Sequence, residues 1–237
     1  MVETSVIGVA EQEKGRDDPG QSRGERVMAK LRTDHHNREE KSLHELCFHY
    51  QDAIFLPGDK LSRTNAAMHT IELEPGVTPI NTRPYRLPES QKEEVDRQVK
   101  QLLGEGIIAK SDSPWNSPFL VLPKKVGPDG KRKWRLVVDF CKLNEKTVGD
   151  AYPLPDIAEV LDHLGQSKYF SCLDMVMSYH QVELAPGEGP KTAFINKQGH
   201  WEHRRLPFGL KTAPATLQND EFGIEWANRY ALFRVFG

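Results

Sequence analysis

Long apolar runs are missing from this chain of 237 residues. No stretch approaches the roughly 18 consecutive apolar residues that a membrane-spanning helix needs. The N-terminus has no basic segment followed by an apolar core, so a secretory leader is not expected. Cysteine is scarce: Cys47, Cys141 and Cys172 are odd in number and show no Cys-x-x-Cys spacing. A disulfide framework is thereby excluded, and the reading is a reducing intracellular compartment, cytoplasmic or nuclear. An excess of positive charge is also lacking. With a formal net charge of -2, any surface for a polyanion must be a local patch. No internal repeat or low-complexity tract is present.

What is there is enough to build a core. Hydrophobic residues make up 38% of the chain and charged residues 28%, which suits one large or two small domains with a heavily charged surface. Residues 1–40 are rich in Glu, Lys, Arg, Asp and Gly and have little to bury, so they read as a disordered or loosely helical charged tail. From Lys41 the pattern changes. SLHELCFHYQDAIF puts Leu43, Leu46, Cys47, Tyr50 and Ile54 on one helical face. His44, Cys47 and His49 lie close together there, but their spacing fits no closed zinc site and no fourth ligand is evident. Pro57-Gly58 breaks the pattern, and an extended segment runs through Pro75, Pro79, Pro84 and Pro88.

A helix is predicted from Pro88 to Gly104. Glu93, Glu94 and Asp96 favour its early turns, and Val95, Val99, Leu102 and Leu103 form its apolar stripe. After Ile107-Ile108-Ala109 comes SPWNSPFLVLPKK, with a strand over Phe119–Leu122. The turn VGPDG leads into a second strand, KWRLVVDF, and the two make a hairpin. Its loop is basic, with Lys124, Lys125, Lys131, Arg132, Lys133 and Arg135. A second helix is expected over Pro155–Leu164 and another hairpin across Lys191–Arg205. Between them, YFSCLDMVMSYHQVEL reads as a buried strand ending on Asp174, a short turn, Tyr179, and an alternating strand from Gln181 to Leu184. A carboxylate at the end of a buried strand must be paired, hydrogen-bonded or bound to a cation. Two readings of Asp174 stay open at this point: a metal ligand, or the N-cap of the turn that follows it.

The ordered blocks KWRLVVDFCKLN, YPLPDIAEVLDHLGQSKYFSCLDMVMSYHQVEL, TAF and HRRLPFGLKTAPATLQ carry a resemblance. Together they resemble the reverse transcriptase (RNA-directed DNA polymerase) of gypsy-class LTR retrotransposons. HTIELEPGVTPINTRPYRLPES, upstream, resembles the segment that joins protease to polymerase in the same polyproteins. The likeness runs from Lys41 to Gln218. It implies an α+β fold, the fingers and a partial palm of a right-handed polymerase, with an incomplete antiparallel palm sheet. Residues 41–88 would be the linker-like segment, 89–218 the fingers and partial palm, and 219–237 a divergent, truncated C-terminus.

The resemblance also implies roles. Asp174 matches the first catalytic Asp, a ligand of Mg²⁺ in two-metal nucleotidyl transfer. Tyr179 matches the residue under the incoming sugar, where a ring leaves no room for a 2′-hydroxyl. Arg135 matches the fingers residue that clamps the dNTP triphosphate, helped by Lys124 or Lys125. Phe208, Gly209 and Gln218 match the block that lines nucleotide and template, and Gly209 is expected to let backbone approach a base. The loop cations Lys131, Arg132 and Lys133 would meet nucleic-acid phosphates. Implied partners are an RNA template, a DNA primer, dNTP and other parts of a retroelement polyprotein.

Departures from the family pattern matter as much. Cys141 stands where Arg is usual, and Leu217 where Phe is usual. No Tyr-x-Asp-Asp hairpin, the source of further metal-binding carboxylates, follows Phe208. Asp220-Glu221 is the only adjacent acidic pair there and reads as a solvated helical face. Signals of thumb, RNase H, protease and integrase are not visible. The chain is therefore expected to be a reverse transcriptase domain that is inactive as an isolated fragment. The alternative is a non-catalytic retroelement remnant or a domesticated nucleic-acid-binding module. A generic α+β interaction domain would require every ordered block to be accidental.

Overall fold

The computed structural model describes residues 21–29, 45, 47–56, 58–64, 67–123, 134–151, 158 and 176–218. The chain forms two compact units, one of Met1–Lys60, Pro155–Val176 and Asn228–Gly237, the other of Leu61–Leu154 and Met177–Ala227. The expected helix over Pro155–Leu164 and the strand ending at Asp174 lie outside the described residues.

In the first unit, residues Arg23–Met28 form a short helix. Ser22 caps it in a box with Glu25: the Glu25 N–H donates to Ser22 Oγ, and the Ser22 N–H donates to Glu25 Oε2 at 2.7 Å. The helix buries Val27 against Cys47 and Leu56, with Met28 and Ile54 packed alongside. Arg23 locks the arrangement. Its guanidinium donates to both oxygens of Asp59 at 3.1 and 2.9 Å and to the carbonyls of Gln51 and Ile54. The paired guanidinium holds the Asp59 carboxyl below the usual carboxylate range. This helix lies inside the tail read as disordered or loosely helical, and Ser22-Arg23-Gly24-Glu25 was its signal. The expected amphipathic helix around Cys47 is shorter than its pattern. It gives way at Tyr50 to a 3-10 turn, Gln51–Ala53, so Ile54 packs from beyond the helix.

Among the described residues the second unit holds seven short strands. β1 (Met68–His69) pairs in parallel with β5 (Glu183–Leu184). β2 (Ile108–Lys110), β7 (Gly199–His203) and β6 (Phe194–Asn196) form an antiparallel sheet in the order β2-β7-β6. β3 (Phe119–Pro123) and β4 (Trp134–Val138) form the expected hairpin, with Phe119 opposite Val138 and Leu122 opposite Arg135. Alternation decides its faces. Phe119, Val121 and Val138 are buried, while Leu120 and Leu122 share the exposed face with Arg135.

The predicted long helix is Glu89–Gly104. Val95 and Val99 are buried as expected, but Leu103 is 40% exposed. One residue advances a helix by about 100°, which turns Leu103 away from the stripe that Leu102 continues. Gln98 ties this helix to the hairpin. Its amide donates to the Trp134 carbonyl at 3.0 Å and accepts from the Leu136 N–H at 3.0 Å, so a side chain pairs the edge of β4 that β3 leaves open. A helix that the sequence pattern did not announce, Cys141–Lys146, follows the hairpin directly. Gln181 belongs to a 3-10 turn (Ser178–Gln181) rather than to a strand, although burial still alternates through Leu184.

Where the elements meet, Phe194 packs edge-on against Phe119, with ring centroids 6.0 Å apart. His203 lies against Phe140 and Phe194, and its Nδ1–H donates to the Thr192 carbonyl at 3.3 Å. Burial is the main reason its pKa falls to about 3. His69 is buried under the Ala213–Gln218 helix, where its two ring nitrogens meet the Thr216 and Thr212 hydroxyls at 2.8 and 3.4 Å. Burial lowers its pKa to about 4.

Both histidines stay neutral in the folded chain at pH values where the unfolded chain takes up protons. Stability is therefore full above about pH 6.5 and falls as pH drops toward 4, by roughly 1.4 kcal/mol per pH unit for each such group. Urea unfolding measured from pH 7 to pH 4.5 should show this slope, and His69→Gln should remove roughly half of it.

Candidate functional site

The site is built on the turn that follows β7. Phe208 is 45% exposed at its tip, and Gly209 adopts φ +94°. That left-handed backbone is the reason for glycine here. A Cβ at Gly209 would lie 3.7 Å from the Phe140 ring and from the Val138 carbonyl, which is ordinary contact. Within the protein the constraint is therefore conformational rather than one of space.

Asn144, on the Cys141–Lys146 helix, fixes this turn from both sides. Its Nδ2 donates to the Gly209 carbonyl at 2.7 Å, and its Oδ1 accepts from the Lys211 N–H at 2.9 Å. Lys211 Nζ then reaches the Thr147 carbonyl at 3.1 Å. The Phe208 ring lies over Tyr179, with centroids 4.8 Å apart and planes inclined at 56°. The His180 ring meets it edge-on at 5.3 Å. Tyr179 is thus half-buried in an aromatic pair whose outer member faces solvent.

Arg135 is exposed on β4 and forms no ion pair with any described residue. The strand that carries it runs on to Val138, whose carbonyl adjoins Gly209. Three residues of strand span about 10 Å, which places Arg135 one strand-length from the aromatic turn. Gln218 is the last described residue, on the Ala213–Gln218 helix that His69 anchors through Thr212 and Thr216. Asp174, Lys124, Lys125, Lys131, Arg132 and Lys133 lie outside the described residues. Among the described residues no group of three or more His, Cys, Asp or Glu side chains could hold a metal ion.

Sequence reasoning gave no role to Asn144, Asp139 or Tyr85. Asp139 Oδ1 accepts from the Cys141 N–H at 3.0 Å, and Oδ2 accepts from the Tyr85 hydroxyl at 2.8 Å. The Cys141 thiol, the Cys141 N–H and the Tyr85 hydroxyl together hold the Asp139 carboxyl below its ordinary range. The same contact pushes the exposed Cys141 thiol up, so it favours the unreactive protonated form. Asn144 stands inside KWRLVVDFCKLN, but its partners lie 65 and 67 residues away, beyond any local signal.

Residues 122–220, which span β4, Tyr179 and the Phe208–Gly209 turn, match the family "Reverse transcriptase (RNA-dependent DNA polymerase)". The chain carries a reverse transcriptase segment. It is 40% identical over 192 residues to the retrovirus-related Pol polyprotein from transposon 297 of Drosophila melanogaster, covering 81% of this chain and 18% of that protein. Against the Pol polyprotein from transposon gypsy of the same organism it is 44% identical over 181 residues, covering 71% and 17%. The chain thus spans less than a fifth of the length of either polyprotein. Its fold is similar to the foamy viral protease-reverse transcriptase solved in complex with RNA/DNA hybrid, at TM-score 0.66 and 23% identity, over 89% of this chain and 27% of that one. It is likewise similar to the form of that protein solved with double-stranded DNA, at TM-score 0.66 and 24% identity, covering 89% and 35%. This mixed helix-and-strand likeness accords with the fingers and partial palm expected from sequence. No helix among the described residues is long and apolar enough to cross a membrane.

The turn's geometry sets two costs. Gly209→Ala should destabilise the unit by about 1–3 kcal/mol because alanine resists the left-handed backbone. Asn144→Ala should cost a similar amount, about 1–3 kcal/mol, by leaving the Gly209 carbonyl and the Lys211 N–H unpaired. Urea melts together with amide exchange at Lys211 check both.

Proposed function

We propose that this chain supplies the fingers and part of the palm of an RNA-directed DNA polymerase, and that the exposed turn at Phe208 faces the incoming nucleotide. The observation that carries the reading is the solvent-facing Phe208–Tyr179 pair, set on a left-handed turn beside the strand that bears Arg135. In this reading Tyr179 sits under the sugar and favours dNTP over rNTP. Arg135 clamps the triphosphate with its planar guanidinium, assisted by Lys124 or Lys125. Phe208, Gly209 and Gln218 line the nucleotide and the template strand. Lys131, Arg132 and Lys133 meet the phosphates of an RNA template paired with a DNA primer, a kind of ligand that the foamy viral neighbour was solved with.

Asp174, five residues before Tyr179, is the side chain offered to Mg²⁺. Bound there, the metal would supply charge for attack of the primer 3′-hydroxyl on the α-phosphate and for departure of pyrophosphate. A lone carboxylate holds Mg²⁺ weakly because the ion gives up its waters reluctantly. These 237 residues contain no Tyr-x-Asp-Asp to join Asp174. The loop cations Lys131, Arg132 and Lys133, which need no metal to meet phosphates, also suit a second reading, a nucleic-acid-binding module that does not itself catalyse.

Two measurements separate the readings. Binding to an RNA–DNA duplex should weaken steeply as salt rises. Neutralising Lys131, Arg132, Lys133 and Arg135 together should flatten that dependence by about 0.7–0.9 log units per lost phosphate contact. An unchanged slope removes the hairpin from the interface. Primer extension on an RNA template with Mg²⁺ or Mn²⁺ should give no product from the 237-residue polypeptide. Extension that vanishes in Asp174→Asn would establish catalysis and show that another residue completes the metal site.

A further inference from the structure

His180 is buried, follows Tyr179 directly, and has no part in the proposed chemistry. Its backbone is pinned on both sides. The His180 N–H donates to the carbonyl of Met177, a non-glycine residue held at φ +48°, and the His180 carbonyl accepts from Arg205 Nη1 at 3.1 Å. Its ring is fixed as well. A carbonyl can only accept, so Nδ1 carries the proton and donates to Leu206 O at 3.1 Å. Leu206 is joined to the same stretch by its own N–H, which donates to the Val182 carbonyl at 2.9 Å. Two residues further on, the Phe208 ring rests against the face of the site formed by His180 and Tyr179.

We infer that His180 is a second positioning residue of the nucleotide-facing turn, beside Asn144. Its Nδ1–H fixes the Leu206 carbonyl, its ring edge supports Phe208, and Phe208 in turn holds Tyr179 at its tilt. The consequence for substrate choice rests on the reading that Tyr179 lies under the nucleotide sugar. A Phe208 ring that loses the His180 edge can swing away, and Tyr179 then loses the neighbour that fixes its plane. Selection against a 2′-hydroxyl depends on that plane, so His180 acts on sugar selectivity without touching the sugar.

The test uses the 237-residue chain carrying His180→Ala, His180→Phe or His180→Gln. The first readout is the aromatic NMR signals of Phe208 and Tyr179, with the carbonyl ¹³C signal of Leu206, which reports the acceptor side of the His180 bond. His180→Ala should shift both rings and move the Leu206 carbonyl signal upfield as that hydrogen bond is lost. His180→Gln, whose amide can still donate, should return the carbonyl signal toward the parent position. His180→Phe should keep the ring signals near their original positions while the carbonyl signal stays displaced. Amide exchange at Val137 and Leu120 reports whether the hairpin is intact. Rings and a carbonyl signal in His180→Ala that match the parent, or His180→Gln behaving like His180→Ala, would overturn the inference. The second readout is protection against thermal unfolding by dUTP and by UTP, which differ only at the 2′ position, each with an RNA–DNA template–primer. The parent should be protected more by dUTP, and His180→Ala should lose that preference. A parent indifferent to the sugar sinks the reading of Tyr179 but leaves the ring result standing. Preference kept in His180→Ala despite displaced rings overturns the role in selectivity.

Discussion

The paired hydrogen bonds between the Asn144 side chain and the turn at Gly209 are the constraint on which the rest of the site depends. A solvent-facing aromatic such as Phe208 gains little from its own burial, so its placement must come from the backbone beneath it. That backbone is left-handed at Gly209 and is held by one amide group acting as donor and acceptor at once. The short helix that carries Asn144 begins at the end of β4 and buries Leu143. Position of the turn is therefore inherited from the hairpin and not from the loop's own sequence.

The hairpin is in turn tied to the long helix. Gln98 completes the open edge of β4 with its side-chain amide, while Val95 and Val99 bury the helix face. A similar economy governs the far end of the site. His69 holds the Ala213–Gln218 helix through two hydroxyls, and His203 fills the space between Phe140 and Phe194. Both imidazoles are kept neutral by burial. Small polar side chains thus do at these joints what larger apolar contacts do elsewhere, because each satisfies backbone or hydroxyl groups that burial would leave unpaired.

Much of this was legible in the sequence, and for a physical reason. The β3–β4 hairpin is written in period-2 alternation around a Pro-Asp-Gly turn, and the Glu89–Gly104 helix in the spacing of Val95, Val99 and Leu102. The hairpin of β6 and β7 fell inside the span expected for it. Tyr179, Phe208 and Gly209 stand out in the sequence, and in the structure the Tyr179 and Phe208 rings meet beside the left-handed Gly209. What could not be read was long-range pairing. Asn144 meets Gly209 across 65 residues, Gln98 meets Trp134 across 36, and His69 meets Thr216 across 147. None of these partners shares a local period with the other. Leu103 leaves the stripe because the stripe drifts near the end of a helix, and the Cys141–Lys146 helix is silent in the sequence because two turns carry too few apolar positions to show a period.

The central claim is that the Phe208 turn and Arg135 border one nucleotide site. Photo-crosslinking with an azido-dNTP in the presence of an RNA–DNA template–primer, followed by peptide mapping, tests it most directly. The account predicts adducts on the peptides that carry Arg135 and Phe208–Gly209, competed away by unmodified dNTP. Adducts confined to other peptides, or insensitive to competing dNTP, would contradict it.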